Sequence, residues 1–375
     1  MFALATASLI GFSCLTAVTA APFSFANNPL GNSFPSPNSE QILDIERAAH
    51  GSIPIAFPPV PGAAAAKPPS DDTLTSLKFI AFNELFEVAF FTELISNITN
   101  NVPGFIFDTE VDTRAYILTA LTAIQAQEEL HVLNANNAVK KFTGNVILPC
   151  QYNFPVTDIE QAITLASTFT DVVLGTLQDV VTLFGEDGDA ALIRGVASVI
   201  GQEGEQNGFY RNLLNKIPSA LPFLTASTRG FAFSALNQDF IVPGSCPNVT
   251  ATHSDIALPI FGQLNVDTMN IQPTVQLLDF SFDLPTGGAK PEWKSDYSGV
   301  QLVYINQQNA PTIEKLQNVK LVGNKIEFQA LFPFDQALFG NGLTIAAITA
   351  AGVPFTDVDS IANATIFGPG LIEVN

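Results

Sequence analysis

The chain is predicted to fold as a helical bundle followed by a small β-sandwich-like domain, a multidomain α-then-β class, and three observations carry that prediction. Long segments of helical periodicity fill the first part of the sequence, and short β-rich runs between Gly- and Pro-containing turns fill the last. The helical segments are joined by short turns within two pairs and by a longer connection between the pairs. That spacing makes two antiparallel hairpins with one crossover rather than four helices in simple up-and-down order.

Residues 1–20 read as a cleaved signal peptide. A short run of apolar and small residues ends at Val18-Thr19-Ala20, with small side chains where signal peptidase needs them, and Glu40 is the first charge. Residues 21–72 carry Pro54, Pro58, Pro59, Pro61, Pro68 and Pro69 around four consecutive alanines, and are expected to form an extended arm or linker rather than core. Within the arm, residues 39–50 can form one short helix. The bundle is assigned to residues 73–242. Its helices run over about residues 73–97, 112–142, 158–184 and 190–214, with a shorter fifth over 229–240; Ser70 or Asp71 caps the first, and Gly144 and Pro218 stop the second and fourth. Residues 253–375 form the β-rich domain. Strands are expected at 275–282, 300–305, 325–328 and 343–348, between turns such as Pro285-Thr286-Gly287-Gly288 and Gly340-Asn341-Gly342.

Cysteine usage agrees with export. Cys14 lies within the signal segment, which leaves Cys150 and Cys246, and two such residues in an oxidising compartment are expected to form one disulfide. Closing a loop of that length is worth about 4–5 kcal/mol in the chain-entropy account. Asn97, Asn248 and Asn363 each begin an N-glycosylation sequon, again in keeping with secretion to the cell exterior or wall. A net charge of −20 argues against nucleic acid and anionic membrane surfaces as partners; once the signal is cleaved no membrane attachment is expected, and cell-wall components are the partners this location suggests.

The chemistry is concentrated on three helices. The first bundle helix is apolar nearly all round from Phe79 to Phe91, yet carries Glu84 and Glu87 three residues apart on one face. Buried carboxylates are costly unless paired, protonated or bound to a cation. The second helix supplies Glu128 and His131, and the fourth supplies Glu203 and Gln206, each pair at the same three-residue spacing. Glu-x-x-His alone is a weak signal. A glutamate on one helix, Glu-x-x-His on the next and a related pair on the fourth together follow the ligand logic of di-metal carboxylate bundles.

The segments Asn83-Glu84-Leu85-Phe86-Glu87-Val88-Ala89-Phe90-Phe91, Gln127-Glu128-Glu129-Leu130-His131 and Glu203-Gly204-Glu205-Gln206-Asn207-Gly208-Phe209-Tyr210-Arg211 resemble the ferritin-like domain of desiccation-related proteins. More narrowly, they are similar to the secreted stress-response and late sexual development proteins of fungi. The resemblance covers residues 73–240 and implies a ferritin-like four-helix bundle with Glu84, Glu128, His131 and Glu203 as metal ligands and Glu87 as a neighbour. It also implies iron or another divalent transition metal as the cofactor. Three positions depart from it: Thr170 stands where a bridging glutamate is expected, Gln206 where a second histidine is expected, and Phe91 at a position often occupied by tyrosine. An amide is a poor ligand for divalent iron compared with imidazole. The expectation is therefore a secreted, non-enzymatic protein with a degenerate metal site. The alternatives are a metal-dependent oxidase or iron-handling protein using the residual ligands, and a cell-wall carbohydrate binder acting through the β domain, where the sole tryptophan, Trp293, lies in a turn.

Overall fold

Helices account for most of the first two hundred and forty residues, and their ends fall where capping chemistry puts them. The structure, a computed structural model, describes residues 21–27, 31–55, 68–107, 111–247 and 256–374. Residues 1–20, much of the Pro-rich run and Asn248 lie outside the described residues. Ser70 caps the bundle's first long helix, α2 (Asp71–Thr99), by accepting from the Thr73 amide, and Asp158 caps α4 (Ile159–Glu186) by accepting from Gln161. Between them lies α3 (Val111–Thr143); α5 (Ile193–Leu213) and α6 (Arg229–Asp239) follow. A short helix, α1 (Ser39–Ala48), precedes all of these behind a capping box on Asn38.

Helices α2 and α3 form one hairpin, α4 and α5 another, and residues 144–158 cross between them. Every residue of α2 from Phe79 to Thr92 is buried, as its lack of a polar face requires. Phenylalanine fills the space around it: the Phe86 and Phe90 rings each lie 5.2 Å from Phe169, and Phe86 lies 4.9 Å from Phe240. The crossover is drawn into this core by Tyr152 and Phe154, which stack on each other and pack on Phe86. The expected disulfide is present, joining Cys150 in the crossover to Cys246 beyond α6.

Part of the N-terminal segment departs from the reading of residues 21–72 as an arm or linker outside the core. Phe25 and Phe34 are buried in the main core, Phe23 pairs with Tyr152 through two backbone hydrogen bonds, and α1 lays Ile45 against Ala126 and Leu130 of α3. The proline spacing shows where regular structure stops, but not that isolated aromatic residues are anchored on the bundle.

Among the described residues, the β-rich part contains eight strands in two antiparallel sheets. One sheet has the order β1 (Asn265–Val266), β2 (Gln276–Asp283), β6 (Lys325–Phe332), β5 (Gln317–Val322); the other has β4 (Thr312–Glu314), β3 (Val300–Asn306), β7 (Gly342–Ala350), β8 (Thr365–Val374). A short helix, α7 (Val358–Ala364), leads into β8. Inward residues of the two sheets, among them Phe280, Phe328, Leu302 and Ile348, make the sandwich core. Trp293 belongs to that core: it is 1 % exposed and meets Phe282 and Phe367 edge-on, so it packs locally rather than facing a glycan.

The second sheet is buried on both faces. Along β3, Leu302 and Tyr304 face the sandwich, whereas Val303 and Ile305 join the helical core; Ile345 and Ala347 of β7 do the same. This is why β3 and β7 read as nearly unbroken apolar runs. Residues 225–227 couple the layers. The Thr225 hydroxyl donates to the Leu343 carbonyl at 2.6 Å and accepts from the Gln307 amide at 2.9 Å. That segment lies so close to α4 that a Cβ on Gly175 would sit 2.2 Å from the Thr225 carbonyl oxygen.

A core shared by helices and sheet predicts shared unfolding. Ile345→Ala removes a fully buried side chain at the junction and should cost about 2–5 kcal/mol. Trp293 fluorescence reports the sandwich and far-ultraviolet circular dichroism reports the helices; both melts should move down together. A shift in the fluorescence melt alone would refute the shared core.

Candidate metal centre

The bundle helices bring four of the predicted ligands to one point. Suitable atoms of Glu84 on α2, Glu128 and His131 on α3, and Glu203 on α5 all lie within 4.8 Å of one another. The three carboxylates are 0–1 % exposed, and the imidazole is the only one of the four with a measurable opening to solvent. His131 Nδ1 lies 2.8 Å from Glu128 Oε2, 3.4 Å from Glu84 Oε2 and 4.0 Å from Glu203 Oε1. The helical repeat explains the convergence. Glu128 and His131 share one face of α3, while Glu84 is carried on a helix that has no outward face on which to place a charge.

Gln206, one turn from Glu203, points into the same cluster and donates to Glu128 Oε1 at 2.6 Å. Its Nε2 also lies 3.2 Å from Gln127 Oε1, and its own oxygen accepts from the Tyr210 hydroxyl at 3.4 Å. Glu87 is buried beside the cluster and accepts from Asn83 at 2.8 Å. Thr170 on α4 is buried with no hydrogen-bond partner for its hydroxyl. Asp171, next to it, turns away from the cluster toward Asn207, which donates to it at 2.9 Å.

Electrostatics divide the carboxylates into two kinds. Burial pushes Glu203 and Glu87 well above the ordinary carboxylate range, and the neighbouring acids push them further. Burial also lifts Glu84, to about 7, against the opposing pull of His131. Glu128 suffers the same burial, but the imidazolium charge and the hydrogen bonds from His131, Glu84 and Gln206 outweigh it and hold it below the usual range. His131 is held well above its ordinary value: burial works against its charge, and Glu128 and Glu84 overcome that. Without a cation the centre is therefore an imidazolium–carboxylate pair beside acids whose burial favours their protonated forms.

A cation fits this donor set on one side of the cluster. Neither oxygen of Glu203 has a hydrogen-bond partner, and both are buried. Such a group is costly unless protonated or coordinated. Three carboxylates and one imidazole suit a divalent transition ion such as iron, manganese or zinc. On the other side the donors do not suit a second ion of that kind: Gln206 is an amide already engaged as a donor to Glu128.

Sequence reasoning missed two contributors. Tyr210 stacks on Phe91 at 5.9 Å, its phenol held un-ionised by burial and by the acids around it. Gln127, one residue before the motif, links α3 to α5 by accepting hydrogen bonds from the amides of both Gln202 and Gln206. Neither sits at the three-residue spacing that picks out ligands. Of the sequon residues described, Asn363 is exposed and Asn97 half-buried.

Residues 72–216 match the family model described as a ferritin-like domain, a span that holds all four bundle helices and every predicted ligand. The fold is thus a ferritin-like helical region followed by antiparallel sheets. A search of curated proteins gives no significant match.

The buried acids fix the direction of the pH dependence. Burial raises Glu84, Glu93, Glu129 and Asp179 to about 7 and Asp239 to about 6. The folded chain therefore binds more protons than the unfolded chain between about pH 4 and 7, and stability falls as pH rises through that window. The depressed Glu128 acts in reverse, but only as pH falls through the ordinary carboxylate range. Metal-stripped protein should melt at a higher temperature at about pH 5.5 than at about pH 8 by scanning calorimetry; the opposite order would contradict this electrostatic picture.

Proposed function

We propose that this is an exported, non-enzymatic ferritin-like protein of fungal stress response or development, whose bundle keeps one half of an ancestral two-ion centre. In this reading Glu84, Glu128, His131 and Glu203 hold a single divalent transition ion, iron among the candidates. The observation that carries it is Glu203, whose two buried oxygens lack any hydrogen-bonding partner while facing three other ligands. The bound ion would supply a fixed positive charge at the centre of α2, α3 and α5. The protein's own part is to gather the ligands: Gln206 orients Glu128, Asn83 holds Glu87, and the phenylalanine shell excludes water.

The paired-ion chemistry of di-metal carboxylate bundles needs a second ion, and Gln206, the amide beside the cluster, is a poor ligand for one. That favours a structural or storage-independent role over catalysis. Export rests on the N-terminal sequence, the sequons and the Cys150–Cys246 disulfide, a bond favoured in oxidising compartments.

The test is elemental analysis of full-length protein produced through a secretory pathway, then reloaded with Fe²⁺, Mn²⁺ or Zn²⁺ after chelation. About one equivalent per chain is expected. Glu203→Gln should abolish retention while leaving the metal-free melting temperature unchanged or higher, because an amide replaces a protonated acid. In the wild type, saturating metal should add about 2.7 kcal/mol at a hundredfold excess over Kd. No retention of any of the three ions by the wild-type chain would sink the metal reading and leave the cluster as a hydrogen-bonded remnant.

A further inference from the structure

A second feature lies away from the carboxylate cluster, where the helices meet the sheets. A partly open cavity of about 1430 Å³ is bordered by α4, the end of α5, α6, β1, β8 and the segment after α5. Its walls are more apolar than polar: Ile163, Val172, Leu213, Leu236, Val266 and Leu371 are among the apolar residues, and amides, hydroxyls and a few charges make up the rest. This volume exceeds the roughly 300–1,000 Å³ of pockets for drug-sized ligands, so it has room for a long chain or a fused-ring body. The lining runs out to the surface at Ile217, which is 75 % exposed. Met269 and Leu338, 43 % and 70 % exposed, adjoin further lining residues in sequence. Exposed apolar side chains around an apolar cavity mark an entrance for an apolar molecule.

One polar feature of the wall has unmet hydrogen-bonding capacity. Arg211 is 2 % exposed and donates Nε–H to the Ile217 carbonyl at 2.7 Å, but its Nη1 is buried without a partner. The charges nearby already have partners. Asp171 and Glu373 are hydrogen-bonded to each other beside Arg211 and Lys216. The remaining lining charges are both acidic: Glu160, which faces Lys216, and Asp239, which accepts from Gln263 at 3.0 Å. An anionic head group would meet an excess of acid, and the group left wanting is a donor. A neutral acceptor matches both conditions.

We propose that this cavity binds an uncharged amphiphile, an apolar body ending in one hydroxyl or carbonyl group, with the oxygen directed to Arg211 and the body along α4 and α6. The site shares α5 with the metal centre but none of its ligands, and it does not depend on metal being bound.

The experiment uses the full chain and Nile red, a neutral apolar dye, with oleyl alcohol and oleate as competitors at about pH 8. Saturable binding at one site is expected, with displacement by oleyl alcohol and at least about tenfold weaker displacement by oleate. Thr164→Trp places an indole in the cavity from a partly exposed position on α4 and should weaken dye binding at least about tenfold without lowering the melting temperature. If that variant fails to fold, Ala220→Trp, in the segment after α5, makes the same test. Dye uptake that never saturates, or that is unchanged in the folded variants, overturns the site. Equal displacement by oleate overturns the neutral head group.

Discussion

The burial of α2 on all sides is the constraint from which the rest of the molecule follows. A helix of this length with no polar face must be covered by other elements, and here α3, α4, α6 and the crossover do so. Covering it removes Glu84 and Glu87 from water together with the phenylalanines around them. Each buried acid then needs a proton, a hydrogen-bond donor or a cation. The polar centre of the bundle is the structural answer to that need: His131 and Gln206 reach in from α3 and α5, and Asn83 holds Glu87 from within α2.

The same cover explains the irregular parts. Tyr152 and Phe154 bring the crossover onto Phe86, and the disulfide then fixes the crossover to the chain beyond α6. The N-terminal segment adds Phe25 and Phe34 to the core, and Asn32 donates to Glu129 at 2.6 Å on another face of α3. The sheet of β3 and β7 closes the far side of the helical layer. Its second face closes the sandwich, so one sheet serves two cores.

The match of residues 72–216 to the ferritin-like domain and the convergence of Glu84, Glu128, His131 and Glu203 point the same way. The asymmetry of the cluster is equally informative. One side presents Glu203 with both oxygens unpartnered, and the other presents the Gln206 amide, which donates to Glu128. The imidazolium paired with Glu128 shows how such a centre can persist without a cation. Burial favours the protonated forms of the remaining acids.

Much of this was legible in the sequence because it depends on local periodicity. The helix boundaries, the two hairpins and the ligand spacing all follow from repeats of three or four residues and from caps such as Ser70 and Asp158. The strands β2, β3, β6 and β7 were readable from apolar runs bounded by turns. β8 was not, because Gly368-Pro369 interrupts the run where its pairing with β7 shifts register. β5 was missed because its side chains are largely exposed and show no buried face. Cysteine number and compartment suggested the disulfide. Only the tertiary structure decided that Phe25 and Phe34 belong to the core, that Asp171 turns away while Gln206 turns in, that Trp293 is buried, and that the second sheet is shared. These depend on which surfaces meet across long stretches of chain, and periodicity along a segment says that a face is apolar without saying what will cover it.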